Sequence, residues 1–101
     1  MGSSSVMNWI YDSIVLEHKL VYEKSVLARI QIVANKKGGF KVTTLISAIY
    51  FGARTQAQFE RQKKEWVAYR KKFKDRSSAN AYIGRKKEAV LRFVKAREKE
   101  A

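Results

Sequence analysis

The chain has 101 residues, 46% hydrophobic and 31% charged, which is enough apolar material for one compact core and too little for two. Its 22 Lys and Arg against 9 Asp and Glu give a formal charge of +13, which points to a polyanionic partner. The absence of Cys excludes disulfides, thiolate nucleophiles and Cys-ligated metal, and the absence of Pro favours long helices over a turn-rich architecture.

Residues 1–6, opening Met1-Gly2-Ser3-Ser4-Ser5, read as a small polar leader or a disordered start, with a single domain expected over 7–101. The longest nearly uncharged apolar stretch, Val42 to Ala53, falls short of the roughly 20 residues that a membrane-spanning helix needs. No basic segment followed by an apolar run leads into a small-residue cleavage site, so a cytoplasmic setting is expected, bacterial or viral within a host cell.

Trp9, Leu16, Leu20, Leu27, Ile30 and Ala34 share one side of a 3.6-residue repeat, and this spacing predicts a long helix over about 7–34. A strand competes for the end of that segment. Arg29-Ile30-Gln31-Ile32-Val33 alternates, and Lys36-Lys37-Gly38-Gly39 could turn it back into Phe40-Lys41-Val42-Thr43-Thr44, pairing Asn35 with Phe40 and Val33 with Val42. Beyond the Gly pair, Val42, Ile46, Ile49, Tyr50 and Ala53 predict a short buried helix that stops at Gly52. Thr55 and Gln58 form a capping-box pair and open a predicted helix over about 55–75. Asp75-Arg76-Ser77-Ser78 supplies turn and cap chemistry. Ala79, Tyr82, Ile83, Val90, Phe93 and Val94 then mark the buried face of a last helix ending near residue 99. The expected fold class is therefore mainly α: a small helical bundle whose last two helices form a basic antiparallel hairpin over 55–100. An α+β fold with a hairpin about residues 29–45 is the alternative.

Catalytic chemistry finds little support. His18 is the single histidine and stands between Glu17 and Lys19 in what reads as a solvated turn. Asp12, Glu17 and Glu23 lack the spacing of a paired-carboxylate or metal site, and no phosphate-loop pattern is present. Neither enzyme activity nor a metal or cofactor is expected. Lys36-Lys37-Gly38-Gly39 could offer ammonium and backbone N–H groups to a phosphate, although a polar connection explains it as well.

Charge is concentrated late: residues 1–53 carry +3 and residues 54–101 carry +10. On a helix over 55–75, Phe59, Trp66 and Phe73 would repeat every seven residues with Lys63 and Arg70 between them. That face reads first as a core seam and second as a platform on which bases stack, with Trp66 and Tyr69 as stacking candidates. The expected phosphate contacts are Arg54, Arg61, Lys64, Arg70, Lys71, Lys72, Arg85, Arg92, Lys95 and Lys99. A helix-turn-helix over 44–62, with Arg54, Gln56, Gln58 and Arg61 facing bases, is a weaker match. The functional expectation is a small basic protein that holds the phosphate backbone of DNA or RNA, largely without reading bases. The alternatives are an interaction module or inhibitor of phage or plasmid type docking on an acidic surface of a larger protein complex, and a peripheral binder of anionic lipid. A homodimer seam along the first helix is a further possibility.

Overall fold

The computed structural model describes residues 7–52, 55–62 and 65–100, and of residues 59, 60, 62 and 98–100 the backbone alone. Five strands, β1 (Asn8–Asp12), β2 (Glu17–Tyr22), β3 (Ser25–Ala34), β4 (Phe40–Ser47) and β5 (Trp66–Phe73), pair in sequence order as one antiparallel sheet. A 3-10 turn (Ala48–Phe51) and a short helix α1 (Gln56–Gln62) lie between β4 and β5, and a long helix α2 (Arg76–Glu100) follows β5. The chain is thus not a helical bundle. Residues 7–34 form three strands, 40–47 a fourth, and only the last predicted helix stands close to its expected bounds.

The physical reason lies in side-chain type and parity. β3 and β4 are rich in Val, Ile and Thr, whose branched side chains suit a pleated sheet better than a helix. Alternate residues of β3 from Ala28 onward, Ala28, Ile30 and Ile32, are buried. At the start of β3 the register shifts, so that Leu20 pairs with Ala28 while Val21 pairs with Val26. Leu27 is the extra residue of this bulge and is buried next to Ala28. The bulge breaks the alternation and leaves Leu20, Leu27 and Ile30 at spacings that imitate a helix. The absence of Pro suits a sheet too, because Pro would delete a ladder hydrogen bond.

β3 and β4 do form a hairpin, in a register one residue away from the expected pairing. Val33 pairs with Lys41, Ala34 with Phe40, and Ile32 with Val42. This keeps Ile32 and Val42 together on the buried face, the pairing that apolar burial selects. In the turn, Asn35 N–H donates to the Gly39 carbonyl at 2.9 Å, and Gly38 N–H donates to the Asn35 carbonyl at 3.1 Å.

One face of the sheet is covered by α2. Asp75 caps that helix: its Oδ1 accepts from Ser78 N–H at 2.7 Å, in keeping with the cap chemistry read from the sequence. Leu20, Leu27, Ala28, Ile46 and Tyr50 pack with Val90 and Val94, and Ile30, Ile32 and Val42 pack with Ala79 and Ile83. Trp9 touches both clusters. Thr55 Oγ1 likewise accepts from Gln58 N–H at 3.1 Å, but the helix that it opens ends at Gln62. A helix-turn-helix over 44–62 is excluded, since Thr44–Ser47 belongs to a strand. Among the described residues no helix is long and apolar enough to cross a membrane.

Gly39 is required twice, by its φ of +82° and because a Cβ there would stand 2.6 Å from the Phe73 carbonyl oxygen. Gly38, at φ +98°, has open space around it. Gly39→Ala is therefore expected to destabilise the domain by about 2–4 kcal/mol, and Gly38→Ala by only about 1 kcal/mol. Urea unfolding of the two variants measures the difference.

Candidate nucleic-acid interface

Side chains of directly paired residues point to the same side of an antiparallel sheet, so the registers determine what stands on the face away from α2. On that face Ser47 pairs with Trp66, and the next row is Lys19, Arg29, Leu45 and Ala68. Glu17, Gln31, Thr43 and Arg70 follow, and Val33, Lys41 and Lys72 form the last row. α2 packs on the opposite side, and on this one Glu17, Thr43 and Ser47 are the buried residues.

Charge is divided across the face. On the β1–β3 side both acids are matched: Arg29 Nη1 donates to Glu17 Oε1 at 3.0 Å, Gln31 Nε2 donates to Glu17 Oε2, and Lys19 Nζ lies 4.0 Å from Asp12 Oδ2. Glu17 is only 3% exposed, so these two donors compensate a carboxylate largely removed from water. On the β4–β5 side Lys41, Arg70 and Lys72 have no acidic partner among the described residues, and Lys41 stands directly opposite Lys72. Like charges in that position oppose strand pairing.

Two further features extend this cluster. Arg29 reaches over the Trp66 ring, with Cζ 5.3 Å from its centroid, and so joins the paired side of the face to the cationic side. At the other end, the close approach of Gly39 to β5 opens a groove of about 480 Å³ lined by Asn35, Lys37, Gly38, Gly39, Lys72, Phe73 and Lys74. The Lys-Lys-Gly-Gly turn thus adds the Lys37 ammonium to the groove that Lys72 lines.

The expected site residues are distributed differently from a helical hairpin. Arg70, Lys71 and Lys72 lie on a strand, so Arg70 and Lys72 share the uncovered face and Lys71 lies on the helix side, 5.2 Å from the Tyr82 ring. Trp66 and Tyr69 also fall on opposite faces. Tyr69 lies on the helix side, with Lys86 Nζ 5.4 Å from its ring, and the two cannot form one stacking platform. Phe73 packs against Tyr82 on the covered face, ring centroids 5.0 Å apart. Arg61 is on α1, exposed. Arg85, Arg92 and Lys95 lie on the solvent side of α2, on the far side of the molecule from the open sheet face, and Arg92 pairs with Glu88 at 3.9 Å. Lys99 is on α2, its side chain outside the described residues, and Arg54, Lys63, Lys64 and the side chain of Phe59 are also outside them. Sequence reasoning missed Lys41 and the Arg29–Trp66 contact as parts of a site, because both depend on strand pairing.

His18 does not stand in a free solvated turn. Its ring lies 4.6 Å from that of Tyr11 on the helix-facing side. Burial, and secondarily the Lys87 ammonium, push its pKa below the ordinary value of 6.5. Among the described residues no three His, Asp or Glu converge as a metal site would require. No family model, curated protein or solved structure matches the chain.

Two outcomes follow from this geometry. The unfolded chain takes up the His18 proton more readily than the fold, so stability should fall as pH drops through 6.5 and level off below the folded-state pKa. Melting temperatures of wild type and His18→Gln between about pH 8 and pH 5 test this, since that step should be missing from the variant. Lys72→Thr should raise stability by about 0.5 kcal/mol at low salt, with part of the gain lost at about 1 M salt, because it removes the Lys41–Lys72 opposition. Thermal melts at both salt concentrations measure it.

Proposed function

We propose that this chain binds DNA or RNA by its phosphate backbone, on the sheet face that α2 leaves uncovered, largely without base readout. The observation that carries the reading is the cluster Lys41, Arg70 and Lys72, without acidic partners among the described residues and continued by Lys37 and Lys74 in the adjoining groove. A fold that holds Lys41 opposite Lys72 sustains a repulsion that a bound phosphate would reverse. Cations on a rigid sheet also lose less freedom on binding than cations on a loop.

A protein partner is the second reading, favoured by one observation. Val33 is half exposed in the same row as Lys41 and Lys72, and Ile10, Ile14 and Val15 are exposed on β1 and the turn that follows it, Ile14 at 91%. A partner with an apolar centre and an acidic rim would match that surface. Val33→Ser separates the readings, since it should leave nucleic-acid affinity unchanged and weaken a protein complex.

Neutralising about four phosphates gives a slope of log K against log salt near −3, so affinity should fall about 50-fold between about 50 and 200 mM salt. Fluorescence anisotropy with labelled oligonucleotides measures that slope. The triple variant Lys41→Ala, Arg70→Ala, Lys72→Ala should flatten it by about 2. Replacing Arg85, Arg92 and Lys95 by Ala should leave it unchanged, and the opposite pattern would overturn the assignment.

A further inference from the structure

We infer that the nucleic acid taken by this face is single-stranded, laid along β5 with a base stacked at Trp66 and its phosphates passing Arg70 and Lys72 toward the groove of Lys37 and Lys74. The inference rests on the nucleic-acid reading above and specifies its ligand.

Three observations converge. The first is breadth. Five strands set about 4.8 Å apart make a face about 19 Å across, whereas the major groove of B-form DNA is about 12 Å wide and admits a helix or a two-stranded ribbon. This face cannot enter a duplex groove to reach base edges. It can support a strand whose bases are already turned outward.

The second is the platform itself. Trp66 stands on the uncovered face, 38% exposed and outside both core clusters, with the Arg29 guanidinium against its ring. Arg29 is held in turn by Glu17, which also accepts from Gln31, so a chain of contacts across three strands orients the indole. An aromatic ring fixed before binding loses little freedom when a base stacks on it. Beside it stand two small residues, Ser47, which pairs with Trp66, and Ala68, two residues along the same face.

The third is alignment. Trp66, Ala68, Arg70 and Lys72 are alternate residues of one strand, so the stacking group and two of the cations lie in a line about 20 Å long. Lys41 flanks Lys72, and the groove formed where Gly39 approaches Phe73 continues the line with Lys37 and Lys74. Such a track, aromatic at one end and cationic at the other, matches the sequence-tolerant binding of single strands.

The test uses the full chain with labelled single strands of about 12 nucleotides, one oligo-dT and one oligo-U, and a DNA duplex of equal length, near 50 mM salt. The single strands should bind at least about tenfold more tightly than the duplex. Trp66→Ala should weaken single-strand binding about 10- to 100-fold, leave duplex binding within about twofold and keep the wild-type melting temperature, while Trp66→Phe should restore most of the loss. In a Trp9→Phe background, oligo-dT or oligo-U should quench the Trp66 fluorescence. A preference for one of the two single strands supports the inference equally. Equal affinity for duplex and single strands, with Trp66→Ala changing neither, would overturn the inference while leaving the nucleic-acid reading standing. Absence of binding to all three probes would overturn both.

Discussion

One helix has to serve a five-stranded sheet, and the rest of the structure follows from that constraint. α2 covers one face, where Leu20, Ile30, Val42 and Val94 are removed from water, and leaves the other to itself. The face away from α2 therefore mixes polar and charged side chains with a few apolar ones, Leu45, Ala68 and Val33 among them. Edge strand β5 is protected from pairing with other chains by the same means, since its Arg70, Lys71 and Lys72 would repel another copy of themselves.

Charge on that face is sorted by the order of strands. Glu17 and Asp12 lie on the strands farthest from β5, so their ion pairs go to Arg29 and Lys19, and Lys41, Arg70 and Lys72 have no acidic partner among the described residues. Arg29 belongs to both halves, bound to Glu17 and resting on Trp66. The opposition of Lys41 and Lys72 weakens a strand pair that stability alone would improve by other residues. Such a local conflict between stability and composition is what a binding surface produces.

Some of this was legible in the sequence. The last helix could be read because Asp75 caps it and its apolar residues recur at helical spacing on a single side, as the packing of Ala79, Ile83, Val90 and Val94 shows. The basic bias of the second half was legible as composition, but its arrangement was not. A spacing of seven puts Trp66 and Phe73 together on a helix and on opposite faces of a strand, and a spacing of three does the same to Trp66 and Tyr69. In β3 the bulge at Leu27 concealed the alternation, and in β4 both Thr43 and Thr44 are buried, so neither strand shows a clean period of two. The turn at Gly38-Gly39 was visible, whereas its contact with Phe73, which forms the groove, joins residues far apart in the chain.

We propose that the open sheet face, and not the outer face of α2, meets the nucleic acid. Backbone amide NMR spectra of the full chain titrated with a short oligo-dT test it most directly. Shifts concentrated at Lys41, Thr43, Ala68, Arg70 and Lys72 are the predicted result. Shifts concentrated at Arg85, Arg92 and Lys95, with the sheet residues unmoved, would contradict it.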